Sequence, residues 1–211
     1  MGANTETPSN RSETLKASPR MFKSDLLDRF SRVHPIVPLI IFVPVICGLS
    51  IAGGIAVGPL SAALWFAGGW LFWTLTEYWL HRIVFHFDAD NEWAHRFHFM
   101  IHGVHHDHPN DPLRLVMPPG ASIPLAAGFL ALFWAILPAG AWMIFGGGFL
   151  SGYLTYDMLH FHVHHHRPRT ALGRKLRELH MRHHFQDHDT GFGVSAPFWD
   201  NVFGTKPKPR R

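Results

Sequence analysis

From Ile36 to Val57 the chain carries no charged residue, and an apolar run of about 20 residues is long enough to cross the hydrocarbon core of a bilayer as a helix. The chain turns at Gly58 and Pro59 and enters a second apolar stretch, residues 60–80, whose one charged residue is Glu77 near its end. A third run, residues 121–137, is followed almost at once by a fourth, residues 139–159, with Pro138 and Gly140 suited to the turn of a helical hairpin. The pattern predicts an all-α integral membrane protein with four transmembrane helices. Residues 1–34 are rich in Ser, Thr, Asn, Pro and charge and predict a disordered or interfacial tail. Within it, residues 21–32 have partial helical periodicity, as an amphipathic turn or two lying on a membrane surface would. The first apolar run begins too far from Met1 for a secretory signal and lacks a cleavage site. The expected layout is a tail over 1–34, one membrane domain over 35–205 and a basic C-terminal tail over 206–211.

Charge gives these spans a direction. Of the 19 Lys and Arg residues, six lie in the N-terminal tail, three between residues 81 and 119, and ten from residue 160 onward; the turns near Gly58 and Pro138 have none. Four crossings put the three charged segments on one side, which the positive-inside rule makes the cytoplasm. Both termini are then cytoplasmic. The net charge of +4 needs no nucleic acid to account for it. Cys47 lies inside the first run and, being the only cysteine, forms no intrachain disulfide.

The same side receives the histidines. Of 18, ten fall in four groups: His81 and His86; His102, His105 and His106; His160 and His164; His180, His183 and His184. On an α-helix, residues three and four apart share a face. Each HxxHH triad can therefore place two imidazoles on one metal and the third on a neighbouring one. His81 and His86 are five apart, roughly 140° out of phase on a regular helix, so the chain either unwinds there or reaches two metals. Ten imidazoles exceed what one ion takes, and two transition metals fit better. A cytoplasmic helical cap, rich in histidine and holding a di-metal site, is the result. Imidazole suits zinc, copper, nickel and iron, and zinc can occupy such a site in isolated protein. His98, four before His102, is a further candidate, and Glu77 reads either as a partner of a ligand or as an interfacial carboxylate.

The stretches HRIVFH (81–86), HFMIHGVHHDHPNDPLRLVMPP (98–119), YLTYDMLHFHVHH (153–165) and LHMRHHFQDHDTGFGVSAPFWDNVFGT (179–205) resemble the fatty acid 2-hydroxylase branch of the membrane fatty acid hydroxylase and sterol desaturase superfamily. The histidine boxes are shared across that superfamily; GVHH, RLVMPP and GFGVSAPFWDNVFGT narrow the match. The resemblance implies a di-iron centre on the ten histidines, dioxygen as co-substrate, and hydroxylation of a fatty acid or the acyl chain of a lipid, at carbon 2. It points to Tyr153, Tyr156 and Asp157 as catalytic residues near the site, Asp157 being placed to hold the ring of His160. Some relatives carry a cytochrome b5 domain, and this sequence has no HPGG haem motif. No bound haem is expected, and electrons are expected from a separate cytochrome b5-type or ferredoxin-type protein with its reductase. A bacterial inner membrane is the expected location, or an endoplasmic reticulum membrane in a eukaryote. Carotenoid or sterol oxidation by the same centre is the alternative, followed by a non-enzymatic metal-binding protein or transporter.

Overall fold

The structure is a computed structural model and describes residues 11–87 and 90–208. The first ten residues of the expected tail and the last three of the basic C-terminal tail lie outside the described residues. Two short helices, α1 (Arg11–Lys16) and α2 (Asp25–Phe30), precede two long ones, α3 (Ile36–Val57) and α4 (Pro59–Trp79). The connection between the long helices is a single residue, Gly58, at φ +79°, and Pro59 starts the next helix where its missing N–H costs nothing. α4 runs into a π-helical segment, Leu80–Phe85. Then come α5 (Glu92–His98), a second π-helical segment (Phe99–Gly103) and α6 (Val104–Asp107). The second long hairpin is α7 (Pro119–Ile136) and α8 (Ala141–His165), turned at Gly140 (φ +85°), and the chain ends with α9 (Ala171–Phe185) and α10 (Phe198–Val202).

Among the described residues every element is helical. Two helices, α3 and α7, are long and apolar enough to cross a membrane by length and composition, with mean hydropathies of 2.5 and 1.6. Their side chains face outward, as at Ile40, Ile55, Trp134 and Ile136, which is the surface an apolar solvent would cover.

α8 is the inner helix and packs on α3, α4 and α7. Its glycines permit this. A methyl group on Gly148 would collide with the carbonyl of Phe66 in α4, and one on Gly69 of α4 with the carbonyl of Phe145 in α8. Small residues let two helix backbones approach closely. Around this contact Trp73 meets Phe149 and Tyr153 edge-on, with ring centroids 5.2 and 5.3 Å apart, and Phe42 of α3 meets Tyr153 at 5.1 Å.

Residues 11–34, the described part of the segment 1–34 expected as disordered or interfacial, pack onto the loop after α6. The cause is Arg114, a buried guanidinium in a region that must supply it with acceptors. It donates to the Pro19 carbonyl (2.7 Å), the Ser31 hydroxyl (2.9 Å) and Asp28 Oδ1 (3.2 Å), with Asp111 on its other side (3.7 Å). The Val33 N–H donates to the Leu113 carbonyl (2.7 Å) and the Asn110 N–H to that of Leu15 (3.0 Å). The apolar residues Leu26, Leu27 and Phe30 of α2 remain exposed.

Candidate metal centre

The histidines are brought together by the ends of the long helices and by α6 and α9. His160 and His164 lie one turn apart at the end of α8, and α9 presents His180, His183 and His184 on its buried face. The π-helical segment Leu80–Phe85 resolves the five-residue spacing. A π-helix closes its hydrogen bonds from i to i+5 and winds more widely than an α-helix, which brings residues five apart nearer to one side; the ring centroids of His81 and His86 are 5.0 Å apart.

All ten grouped histidines fall into two sets of five. His81, His86, His102, His106 and His183 form one set, His105, His160, His164, His180 and His184 the other, and within each set one nitrogen per ring lies within 4.8 Å of all the others. Each triad divides between the sets: His102 and His106 go with the first and His105 with the second, whereas His180 and His184 go with the second and His183 with the first. The second set is wholly buried, and in the first His86 and His106 are half-buried.

The ring nitrogens point inward. Nε2 of His102 lies 3.2 Å from Nε2 of His81 and 2.9 Å from that of His106, and the Nε2 atoms of His183 and His86 are 3.0 Å apart. In the second set, Nε2 of His180 is 2.8 Å from that of His164 and 3.1 Å from that of His184. Nε2 of His105 and of His160 is buried with no hydrogen-bond partner among the described residues. His81 Nδ1–H donates to the Phe192 carbonyl (2.8 Å) and His183 Nδ1–H to the Thr190 carbonyl (2.7 Å). A carbonyl can only accept, so the proton of each ring sits on Nδ1 and a lone pair on Nε2 faces the set.

Burial, with the neighbouring imidazoles adding to it, holds His105, His180 and His184 far below the usual histidine range. Burial likewise brings His86 down to about 3 and His183 to about 4, the latter against the opposing pull of the Thr190 carbonyl. These are neutral imidazoles at neutral pH, the protonation state that coordinates a cation. Converging lone pairs, buried donors without a partner and fixed tautomers suit a transition-metal ion in each set.

Of the other expected residues, Tyr156 stacks on His160 with centroids 5.5 Å apart. Asp157 does not hold the ring of His160. It accepts from the Met117 N–H (3.4 Å) and the Tyr153 hydroxyl (3.3 Å), because its side of α8 faces the loop that enters α7. His98 joins neither set and packs on Phe87. Glu77 is buried and accepts from the Ser195 N–H (2.8 Å) and hydroxyl, so it ties the 190–205 loop to α4. His188 is exposed, 5.0 Å from His106 between centroids. Nothing in its spacing from the triads signals that proximity.

A cavity of about 340 Å³ opens beside the two sets. His102 of the first set and His105 and His160 of the second line it, with Tyr156 and Asp157 alongside. The rest of its wall is largely apolar, including Phe85, Met100, Val116 and Leu125, and Met21 and Phe22 of the N-terminal segment contribute to its lining. Arg114, the group that fastens that segment, also lies in the wall.

The family model for fatty acid hydroxylases matches residues 66–205. A dihydroceramide fatty acyl 2-hydroxylase of Arabidopsis thaliana is 41% identical over 196 residues, covering 90% of this chain and 80% of that protein. A ceramide very long chain fatty acid hydroxylase of Saccharomyces cerevisiae is 45% identical over 150 residues, 69% of this chain and 38% of that protein. The human fatty acid 2-hydroxylase is 33% identical over 209 residues, covering 88% of this chain and 56% of that one. Among solved structures, full-length scs7p, of which only the hydroxylase domain is visible, superposes with a TM-score of 0.83 at 37% identity, covering 89% of this chain and 72% of that one. Two histidine sets beside an apolar cavity, in a helical chain matched at this level, assign it: the chain belongs to the fatty acid 2-hydroxylase family and is a lipid-hydroxylating oxidoreductase.

Proposed function

We propose that the chain is a four-span membrane oxygenase that hydroxylates carbon 2 of a fatty acyl chain, carried by a ceramide-type lipid or as a free fatty acid, at a di-iron centre on the cytoplasmic face. The observation that carries this reading is the cavity: its apolar wall ends on residues of both histidine sets. An acyl chain entering it brings an unactivated C–H bond to the place where two ions would sit. His81, His86, His102, His106 and His183 would hold one iron, and His105, His160, His164, His180 and His184 the other; zinc could replace either in isolated protein. The metals would supply the oxidising power through dioxygen. In the overall balance one oxygen atom enters the C–H bond as a hydroxyl, and the other leaves as water with two electrons and two protons. A separate cytochrome b5-type or ferredoxin-type protein, with its reductase, would provide those electrons.

The chain's own residues hold and enclose the substrate. Apolar walls at Phe85, Met100, Val116 and Leu125 take the methylene chain and exclude water. Tyr156 and Asp157 are the polar groups beside the histidines, placed to meet the carbonyl end, where carbon 2 lies. In the membrane, α4 and α8 would span alongside α3 and α7. Their lower hydropathy comes from the tryptophans of α4 and from the glycines and terminal histidines of α8.

Lipid mass spectrometry of cells lacking 2-hydroxy fatty acids, expressing the wild type beside His105→Ala, tests this. The wild type is expected to yield 2-hydroxyacyl lipids and the variant none. Absence of any hydroxylated product from the wild type, with iron and a competent reductase verified, would sink the substrate assignment. Hydroxylated carotenoid or sterol would redirect it.

A further inference from the structure

The two histidine sets differ in what stands behind them. In the first set, two rings are oriented by peptide carbonyls, and each of those peptides is itself pinned. The carbonyl of Phe192 accepts from His81; the N–H of the same peptide unit belongs to Gly193 and donates to Asp200 Oδ2 (3.0 Å). The carbonyl of Thr190 accepts from His183; the N–H of that unit belongs to Gly191 and donates to the Thr205 carbonyl (2.8 Å). Asp200 also accepts from the Phe192 N–H (2.9 Å) and the Thr205 hydroxyl (2.8 Å), and it is 1% exposed. The Thr205 hydroxyl thus spends its proton on Asp200, so the Tyr78 hydroxyl must donate to Thr205 (2.8 Å), leaving its oxygen to accept from Arg82 (3.0 Å).

The second set has no such backing at α9. Nδ1 of His180 and of His184 is buried with no hydrogen-bond partner among the described residues. Those two rings are held by packing and by the Nε2 contacts within their own set.

We propose that the two metal positions are unequal, the one framed by His81 and His183 binding more tightly at equilibrium, and that Asp200 is its positioning residue, acting on His81 through the Phe192–Gly193 peptide. The inference rests on the di-metal reading above. A carboxylate at the N–H end of a peptide polarises its carbonyl, which strengthens the hydrogen bond to Nδ1 and raises the basicity of Nε2. It also fixes the ring, so less orientational freedom is lost on coordination. Losing such outer partners typically weakens metal affinity about 10–100-fold. Burial acts on exchange rate instead: the first set is the more open one and exchanges faster while holding its metal harder.

Equilibrium separates these effects. The purified full chain is dialysed against buffers of decreasing free zinc until the metal content, read by elemental mass spectrometry, is constant. Wild type is expected to fall from two zinc per chain to one, hold a plateau, then fall to none. His164→Ala should keep the tighter site and His86→Ala should lose it. Asp200→Asn, which must turn an amide N–H2 towards a peptide N–H, should weaken the tight site about 10–100-fold and abolish the plateau. Helix content by circular dichroism checks that the variant is folded. Thr205→Val leaves the carboxylate in place and removes one of its three donors; it should shift the same step in the same direction by less. Loss of both metals from wild type in one step, a plateau that follows His164 instead of His86, or an unshifted tight step in the Asp200 and Thr205 variants would each overturn the proposal. A wild type that binds no zinc at all would strike the di-metal reading itself.

Discussion

At the scale of single residues, the site depends on histidines kept neutral by burial and on a few buried charges that fasten the segments around them. Asp28, half-buried against the buried Arg114, shows how such a charge works. The Met21 N–H, with the guanidiniums of Arg32 and Arg114, holds its carboxyl down to about 2 from an ordinary 3.8. Its folded pKa is depressed, so its contribution is fully present above the unfolded value and is lost as pH falls through the folded one. Pepsin, active across this range, is expected to leave the bonds around Phe22 and Leu27 intact at pH 4 and to cut them at pH 2. Arg114→Ala removes the shared partner of Asp28, Ser31 and Pro19, and should make the same bonds sensitive to a neutral-pH protease. Cleavage unchanged by either treatment would mean that the N-terminal segment is held by something other than this cluster.

Elements convert residue spacing into geometry. The π-helical segment Leu80–Phe85 brings His81 and His86, five residues apart, into one histidine set. Inserting one alanine after Ile83 should carry His86 off that face and cost the first position its metal while the second keeps its own, which metal counting would detect. Close helix contact is a second device. Gly69→Ala or Gly148→Ala forces a methyl into a facing carbonyl, and overpacking of this kind costs about 1–3 kcal/mol. Gly48→Ala and Gly128→Ala meet nothing within 4 Å and should leave the thermal midpoint in detergent unchanged or slightly raised. The grouping of the ten histidines was legible because helical periodicity is local, which lets each HxxHH triad divide between two positions; which member goes to which position was not, since it depends on the facing helices and on the π-helical segment that carries His102. The choice of π-helix over an unwound turn was not legible, since it is fixed by what His81 meets in space, including a carbonyl 111 residues away at Phe192. Asp200 and Glu77 were opaque for the same reason. Their partners are peptide N–H groups and a hydroxyl in or beside the 190–205 loop, and a backbone donor leaves no mark in a sequence.

For the whole molecule, the apolar runs located the long helices to within a few residues, α8 alone extending well past its run, to His165. The contacts of residues 11–34 were not legible because the composition there is that of a solvated tail; the partners lie outside the segment, in the guanidinium of Arg114 and the backbone of Asn110 and Leu113. The proposed four-span topology makes a direct prediction. Alkaline phosphatase fused at Gly58 or Pro138 should be active in a bacterial host, and fused near Asn110 or after Thr205 inactive, with the reverse pattern refuting the cytoplasmic cap. The enclosed position of α8 also bears on how such a protein can change over time. In the proposed membrane setting the outward positions of α3 and α7 meet only an apolar solvent, so a saturation library should accept almost any exchange among Leu, Ile, Val and Phe there. Along α8 the tolerated alphabet should shrink to one or two residues wherever a glycine faces α4 or α3. Drift is therefore expected to run along the rim of the bundle, with the axis of α8 as the strip against which every other helix has had to adapt.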